Sequence, residues 1–187
     1  MLQELEEFVK KTMPDLPYHN FNHAKQVRNS ARFYGLMEGV GADSVFQLEA
    51  AGLAHDAWQV PGDKYNEEKT VVLLNEFMQE KKYPLQQIRA IDDLILATKM
   101  PSNPKNIKQM IICDADLDYL GTESYPLQAE ALRRELGMEK ELWYERLQLE
   151  FLKGHEYYTP TAQQIRQPIV DIYCKLYERA QYLKRLK

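Results

Sequence analysis

Two histidines four residues apart are the first residues in this chain that could do chemistry. His19 and His23 lie in the stretch PYHNFNHAKQV and are half of the four histidines among the 187 residues. If the segment is helical, the two imidazoles lie on one face, one turn apart. One imidazole could then bind a metal ion while the other transfers a proton close to the substrate.

A His-Asp pair and a group of aspartates supply the other candidates. His55 and Asp56 follow an apolar stretch in LAHDAW, and Asp114, Asp116 and Asp118 interrupt the otherwise apolar segment IICDADLDYLG. A carboxylate on an apolar helix face is costly unless it is paired or bound to a metal. Two imidazoles and two carboxylates together suit a divalent cation such as Mn, Fe, Ni, Co or Zn. Each motif alone is commonplace, and it is their order along the chain that favours a metal site.

Helices must position these residues, because the sequence has no clear run of alternating apolar and polar residues next to a hairpin turn. Leu, Glu, Gln, Lys and Ala are abundant and only eight glycines occur, which favours helix. Apolar periodicity, capping residues and breaks at Pro or Gly predict seven to nine helices and little or no sheet. The main segments are a first helix with Leu2, Leu5, Phe8 and Val9, a second over about His19–Met37, a third opened by Ser44 with Gln47, a fourth capped by Asn66, a fifth after Pro84, a sixth over Ile107–Leu120 that ends at Gly121, and two more over Glu139–Lys153 and Thr161–Leu186.

Composition limits the class of protein. The formal net charge of -4 argues against a broad nucleic-acid-binding surface. The two cysteines, Cys113 and Cys174, have no metal-type spacing and fit a reducing compartment. The first residues lack the apolar core of a signal peptide, and no apolar run reaches transmembrane length. We therefore expect one soluble, cytoplasmic domain over residues 1–187, with neither a nucleic-acid polymer nor a membrane as partner.

The order of the candidate residues resembles that of the HD superfamily of metal-dependent phosphohydrolases. In that family a histidine, a His-Asp pair and a distant aspartate stand on separate helices of an all-α domain. The resemblance covers roughly residues 17–180. It implies an all-α helical bundle with a divalent cation, which is Mn, Fe, Ni, Co, Zn or Mg. It carries the metal-ligand role to His23, His55, Asp56 and Asp116.

The fourth of these positions has an alternative. Ala115-Asp116-Leu117 fits the family's last motif, and Asp116 is therefore the expected ligand. Asp114 stays open, either as a ligand in its place or as a group that orients a ligand.

The stretch around the first two histidines is closer to one branch of the family. YHNFNHAKQV resembles a segment of cyclic-nucleotide phosphodiesterases, which implies that His19 is the general acid and His23 a metal ligand. Those enzymes have a further histidine for a second metal after the His-Asp pair. Gln59 and Val60 stand in that region here, so we expect one cation and leave a second open. Guanosine-tetraphosphate hydrolases have a Glu-Asp pair at that place. This chain has Gln59 and Val60 instead, so guanosine tetraphosphate is a disfavoured substrate.

Small stand-alone bacterial HD proteins share further segments with this chain. These are Asn66-Glu67-Glu68, Ala97-Thr98-Lys99-Met100-Pro101, Asp114 to Gly121, and Tyr157-Tyr158-Thr159. Glu67 is expected to act in catalysis by positioning water, with a helix-starting acid as the simpler interpretation. Lys99 is expected to contact a substrate phosphate, with a solvated lysine as the alternative.

The resemblance implies a function without naming a substrate. We expect a phosphohydrolase that acts on a small-molecule phosphate ester, such as a nucleotide, through metal-activated water. The alternative is a non-catalytic nucleotide-binding or signalling module. The sequence does not decide between a monoester and a diester, and a homodimer through exposed helices would be unsurprising.

Overall fold

Helices account for all the regular secondary structure in residues 1–185, the part of the chain that this computed structural model describes. The predicted all-α bundle is therefore confirmed. The α-helices are α1 (Leu2–Thr12), α2 (Phe21–Met37), α3 (Ala42–Ala54), α4 (Asn66–Glu80), α5 (Leu85–Ala97), α6 (Ile107–Asp116), α7 (Tyr125–Glu135), α8 (Lys140–Leu142), α9 (Gln148–Gly154), α10 (Pro160–Ile165) and α11 (Gln167–Arg185). A 3-10 helix, Asp118–Gly121, follows α6, and a π-helical segment, Trp143–Leu147, joins α8 to α9.

The centre of the bundle is built from α2, α3, α5 and α6. Helix α2 packs against α3 and α6, and α3 packs against α5. Small residues allow the backbones to come close where α2 crosses α3. A Cβ on Gly52 would lie 3.1 Å from backbone atoms of Val27 and Arg28. This crossing sets the spacing between the first turn of α2 and the end of α3.

The start of α2 differs from the prediction. The side chain of Asn20 accepts hydrogen bonds from the backbone N–H groups of Asn22, at 2.9 Å, and His23, at 3.2 Å. A residue that caps a helix in this way stands immediately before the first helical residue. Helix α2 therefore begins at Phe21, and His19 lies before it, so the two histidines do not share a helix face.

Two other predicted caps take different roles. Helix α3 begins at Ala42, so Ser44 lies within its first turn rather than at its cap. Asn66 is the first residue of α4, and its side-chain amide both accepts from and donates to the backbone of Val60, at 3.0 Å each way. That pair of hydrogen bonds holds the loop after the His-Asp pair.

The predicted sixth helix is shorter than expected. It ends at Asp116, and the chain continues through the 3-10 helix. Gly121 is needed there for space, because a Cβ would lie 2.5 to 2.8 Å from atoms of Arg166.

Helix α7 is missing from the prediction. Only Tyr125 and Ala129 are buried along it, so its sequence has little apolar periodicity to detect.

The last two predicted helices are each divided. The π-helical segment interrupts the first, and a break at Arg166 separates α10 from α11. Pro168, near the start of α11, has no N–H to continue a helix from α10. The predicted end at Leu186 lies outside the described residues. Within residues 1–185, no helix has the length and apolar character that crossing a bilayer demands.

Candidate active site

Three helices bring four donor atoms together. His23 lies in the first turn of α2, His55 and Asp56 follow the end of α3, and Asp116 is the last residue of α6. His55 Nε2 lies 2.8 Å from Asp56 Oδ2 and 3.2 Å from Asp116 Oδ1. His23 Nε2 lies 3.3 Å from Asp116 Oδ1 and 3.6 Å from Asp56 Oδ2. The structure therefore brings together all four residues that the sequence predicts as metal ligands.

Local hydrogen bonds aim the two imidazoles. The Asn20 cap holds the backbone of His23 at the helix start. His55 Nδ1 donates to the carbonyl oxygen of Gly52 at 2.9 Å. This bond places a proton on Nδ1, so Nε2 is the nitrogen that faces the carboxylates of Asp56 and Asp116 and that would bind a metal once it is deprotonated.

The cluster is charged, enclosed and incompletely hydrogen-bonded. The Nε2 atoms of His23 and His55 are buried without a hydrogen-bond partner of acceptable geometry among the described residues. Burial alone would lower the pKa of His55, but Asp56 and Asp116 raise it well above its usual range. Burial would raise the pKa of Asp116, but His55 and His23 hold it well below. Opposite charges thus compensate one another at close range.

The donor set fits a divalent cation. A ligand atom from each of His23, His55 and Asp56 lies within 4.8 Å of the others, and this buried group could hold a metal ion. Bonds of about 2.1 Å to one metal place neighbouring donors about 3.0 to 3.4 Å apart. The four donors lie 2.8 to 3.6 Å from their neighbours in the cluster. Two imidazoles with two carboxylates suit a borderline cation.

His19 stands at the edge of this cluster, held by a buried glutamate. Its Nε2 lies 4.0 Å from Asp56 Oδ2, and its Nδ1 is hydrogen-bonded to Glu135 Oε1. Glu135 Oε2 also accepts the backbone N–H groups of Tyr18, at 2.9 Å, and His19, at 3.0 Å. The Glu135 side chain is only 1% exposed. One carboxylate thereby fixes both the backbone and the imidazole of His19.

His19 and Glu135 each favour the charged form of the other. Burial would lower the pKa of His19, but the hydrogen bond that its imidazole donates to Glu135 and the charge of Asp56 outweigh this effect and raise the pKa. Burial would raise the pKa of Glu135, but the hydrogen bond that its carboxylate accepts from the His19 side chain lowers it overall. The arrangement favours a charged imidazolium beside a carboxylate.

Sequence reasoning missed Glu135. It ends α7, the helix without a detectable apolar pattern, and lies 116 residues from His19 along the chain. No local motif marks it, so only the tertiary structure shows the contact.

The other two predicted site residues lie further out. Glu67 is half-buried in the first turn of α4, and burial raises its pKa, with a further contribution from Asp56. Lys99 pairs with Glu68, and its Nζ lies 5.4 Å from the centre of the Tyr65 ring. The structure does not bring Lys99 into the four-donor cluster, and its contact with a phosphate stays a prediction.

The two aspartates beside Asp116 have other partners. Asp114 is buried and accepts the backbone N–H groups of Tyr158, at 2.9 Å, and Thr159, at 2.7 Å. Asp118 accepts hydrogen bonds from Ser30, Tyr34 and Arg166. Both carboxylates tie α2 or α6 to the chain around α10, whereas Asp116 alone of the three faces the histidines.

Two clefts meet at Asp116 and Tyr119. The first, called the polar cleft here, has a volume of about 480 Å³ and contains His23. Its wall is rich in amides and hydroxyls, from Gln26, Asn29, Ser30, Thr122, Ser124 and Gln128. The second, the apolar cleft, has a volume of about 380 Å³ and contains His19. Its wall is mainly aromatic and aliphatic, from Tyr18, Leu117, Leu132, Trp143, Leu147 and Phe151.

Comparison with known proteins shows a shared fold. No protein-family model and no curated protein sequence matches this chain. The crystal structure of Bacillus subtilis YpgQ in complex with ADP is similar, with a TM-score of 0.69 and 16% sequence identity. The likeness covers 96% of this chain and 97% of that one. A likeness at this identity shows that the two chains share a fold, here the all-α bundle.

Proposed function

We propose that this protein is a metal-dependent phosphohydrolase that cleaves a phosphate ester of a nucleotide or a related small molecule. The observation that carries this proposal is the convergence of two buried imidazole nitrogens, which have no hydrogen-bond partner among the described residues, with two carboxylates. His23, His55, Asp56 and Asp116 would hold one divalent cation. A cation bound there would act as a Lewis acid, lowering the pKa of water and offsetting phosphoryl charge.

The chain's own residues would handle the proton of the leaving group. Water attacks phosphorus and forms one P–O bond, while the P–O bond to the leaving group breaks. The leaving oxygen keeps the electron pair and takes the proton of His19, the general acid. A proton from the attacking water goes to solvent, and His19 recovers its own proton from solvent. Glu135 would keep His19 oriented and charged through this cycle.

Glu67 and Lys99 would act at the rim. Glu67 is half-buried and feels the charge of Asp56, so it is suited to position water or to support a second cation. Lys99 would have to leave Glu68 to meet a phosphoryl oxygen.

The nucleotide part of the proposal draws on the shared fold. YpgQ was crystallised with ADP, and the shared fold supports nucleotide binding as part of this proposal. The same observation supports the second candidate, a nucleotide-binding module without catalysis.

Metal content and hydrolysis, measured together, test the proposal. Protein purified without added metal or chelator should contain about one divalent metal per chain, and Asp56→Ala should contain none. Asp43→Ala is the matched control, because Asp43 is an exposed aspartate at the other end of α3. His19→Ala should keep the metal and lose turnover across a panel of nucleotides, phosphomonoesters and phosphodiesters.

Each other outcome has a defined meaning. About two metals per chain would add a second cation near Glu67. Metal without hydrolysis of any ester would favour the nucleotide-binding module. No metal, even after incubation with Mn, Ni or Co, would sink the hydrolase proposal.

A further inference from the structure

We infer that residues 157–166, called the α10 segment here, position the proposed metal ligand Asp116, with Arg166 as the residue that contributes most. This inference rests on the proposed function, because Asp116 is a ligand only if the cluster holds a cation. It makes Arg166 and Tyr157 positioning residues, which act on the metal site through the turn that carries Asp116.

Asp116 stands at a point of the chain that needs support. It is the last residue of α6, and Leu117 follows it with φ -97° and ψ 11°. Carbonyl groups at the end of a helix lack partners within the helix. The Asp116 carboxylate contacts His23 and His55, which are proposed ligands themselves. Its place in the cluster therefore depends on what holds the backbone on either side.

The α10 segment holds that backbone both before and after the proposed ligand. Before it, Asp114 accepts the backbone N–H groups of Tyr158, at 2.9 Å, and Thr159, at 2.7 Å. After it, the buried Tyr157 donates its hydroxyl proton to the carbonyl oxygen of Leu117, at 2.9 Å. Hydrogen bonds from three consecutive residues thus bracket the proposed ligand.

Arg166 makes a contact that combines charge with close packing. Its Nε donates to Asp118 Oδ1 at 2.7 Å, and its Nη2 donates to Asp118 Oδ2 at 3.2 Å. A guanidinium that meets both oxygens of a carboxylate fixes the orientation of the carboxylate as well as balancing its charge. Atoms of Arg166 also lie against the same turn, because a Cβ on Gly121 would come within 2.5 to 2.8 Å of them. Arg166 therefore restrains the 3-10 helix that follows the proposed ligand.

Asp118 extends this restraint to α2. It also accepts hydrogen bonds from Ser30, at 2.9 Å, and from Tyr34. Ser30 lies seven residues after His23, which is two turns along the same face of α2. One carboxylate thereby joins the α10 segment, the turn after the proposed ligand and the helix that carries His23.

Removal of the Arg166 guanidinium should let this turn shift while all four donors stay in the chain. The Asp118 side chain is only 13% exposed and would lose the cation that balances it. Partners that orient a ligand typically change metal affinity by about 10- to 100-fold when they are removed. We therefore expect weaker binding of the metal rather than its complete loss.

The metal affinity of Arg166 variants tests the inference. Calorimetric titration of metal-free protein with Mn should give a dissociation constant about 10- to 100-fold higher for Arg166→Met than for the unchanged protein. Arg166→Lys keeps the charge without the fork and should fall between the two. The visible absorption of bound Co, which depends on the number and geometry of its ligands, should change in Arg166→Met.

Arg146→Met is the matched control, because Arg146 is an exposed arginine that pairs with Glu150. It should change neither the dissociation constant nor the Co absorption. Circular dichroism and urea unfolding show whether each metal-free variant is folded at the temperature of the titration. Equal affinity and equal Co absorption in folded Arg166→Met and the unchanged protein would overturn the inference, even if the variant is less stable. The hydrolase proposal would then still stand.

Tyr157→Phe decides the question if Arg166→Met does not fold. It removes one hydroxyl group and keeps the ring, and the dissociation constant for Mn should still rise by about threefold or more. In that case an unchanged dissociation constant in Tyr157→Phe would overturn the inference.

A double variant shows whether Arg166 acts through Asp118. Arg166→Met combined with Asp118→Asn should bind Mn no more weakly than Asp118→Asn alone. Additive losses of affinity would contradict this route and the inference with it. If the unchanged protein bound no cation at all, the hydrolase proposal and this inference would both fail.

Discussion

At the scale of single residues, the contact between His19 and Glu135 decides what the first histidine can do. An imidazole before a helix would rotate freely, but Glu135 accepts its Nδ1–H and, at the same time, the backbone N–H groups of Tyr18 and His19. Nε2 is thereby turned towards Asp56. A group that must donate a proton at one point needs this kind of restraint.

Glu135→Gln tests this restraint. The amide keeps the size of the side chain but removes the charge that supports an imidazolium. We expect kcat to fall by about ten- to hundredfold with KM and metal content little changed, measured by steady-state kinetics and elemental analysis.

A double variant separates positioning from general damage. Glu135→Gln combined with His19→Ala should be no slower than His19→Ala alone, because Glu135 acts through His19. Glu139→Gln, at an exposed glutamate on the loop after α7, should leave kcat unchanged. An additive loss in the double variant would contradict a role through His19.

His155, which lies outside the four-donor cluster, affects stability rather than chemistry. His155 lies edge-on to Tyr157 and parallel to Phe151, and burial lowers its pKa to about 4. In the unfolded chain the group takes up a proton near its ordinary pKa of 6.5. Between these values the unfolded state binds more protons, so the free energy of unfolding decreases as the pH falls.

His155→Phe should remove this pH dependence. Between about pH 7.5 and about pH 5, the unchanged metal-free protein should lose about 2 kcal/mol more unfolding free energy than the variant does. Urea unfolding at both pH values measures the difference. Glu156→Gln is the exposed neighbour that serves as control, and an identical pH response of His155→Phe and the unchanged protein would refute a neutral buried imidazole.

At the scale of elements, the crossing of α2 and α3 sets the distance between two proposed ligands. His23 lies in the first turn of α2, and His55 follows the end of α3, with its Nδ1–H bonded to the carbonyl of Gly52. Gly52 itself touches the backbone of α2. Backbone atoms cannot rotate away as side chains do, so any added atom must push the helices apart.

Gly52→Ala should therefore weaken both the fold and the metal site. We expect a loss of about 1 to 3 kcal/mol in unfolding free energy and weaker binding of Mn, measured by urea unfolding and calorimetric titration. Gly154→Ala adds the same methyl group where no atom lies within 4 Å and should change unfolding free energy by less than about 0.5 kcal/mol. Equal effects of the two substitutions would rule out the close crossing as the cause.

At the scale of the whole molecule, the four-donor cluster links α2, α3 and α6. Helix α6 lies far along the chain from α2 and α3, and the cluster lies where ends of the three helices meet. A cation held by all three would bind the folded state and not the unfolded chain. Binding would therefore stabilise the molecule as a whole.

Metal addition should raise the melting temperature. At about one hundred times the dissociation constant the gain is about 2.7 kcal/mol, or roughly 5 to 10 °C for a domain of this size. Thermal unfolding with Mn or Co, against protein treated with a chelator, measures the shift. Asp56→Ala should show no shift, and an equal shift in that variant would place the binding elsewhere.

Much of the fold could be predicted from the sequence, because helices are encoded by near neighbours. Apolar spacing in α1 predicts a face that includes the buried Leu5 and Val9, and the order of His23, the His-Asp pair and Asp116 points to one cluster. The prediction was weakest where that local signal is weak. Helix α7 has two buried residues, and the Asn20 cap moved the start of α2 past His19.

The sequence by itself determined the residue types, the helical class and the order of the four donors, since each depends on local spacing. The tertiary structure decided which aspartate faces the histidines, that Glu135 holds His19, and that one cleft beside the cluster is apolar and the other polar. Those features join residues as far apart as His19 and Glu135. They depend on how helices cross and which side chains become buried together, and no short stretch of sequence carries that information.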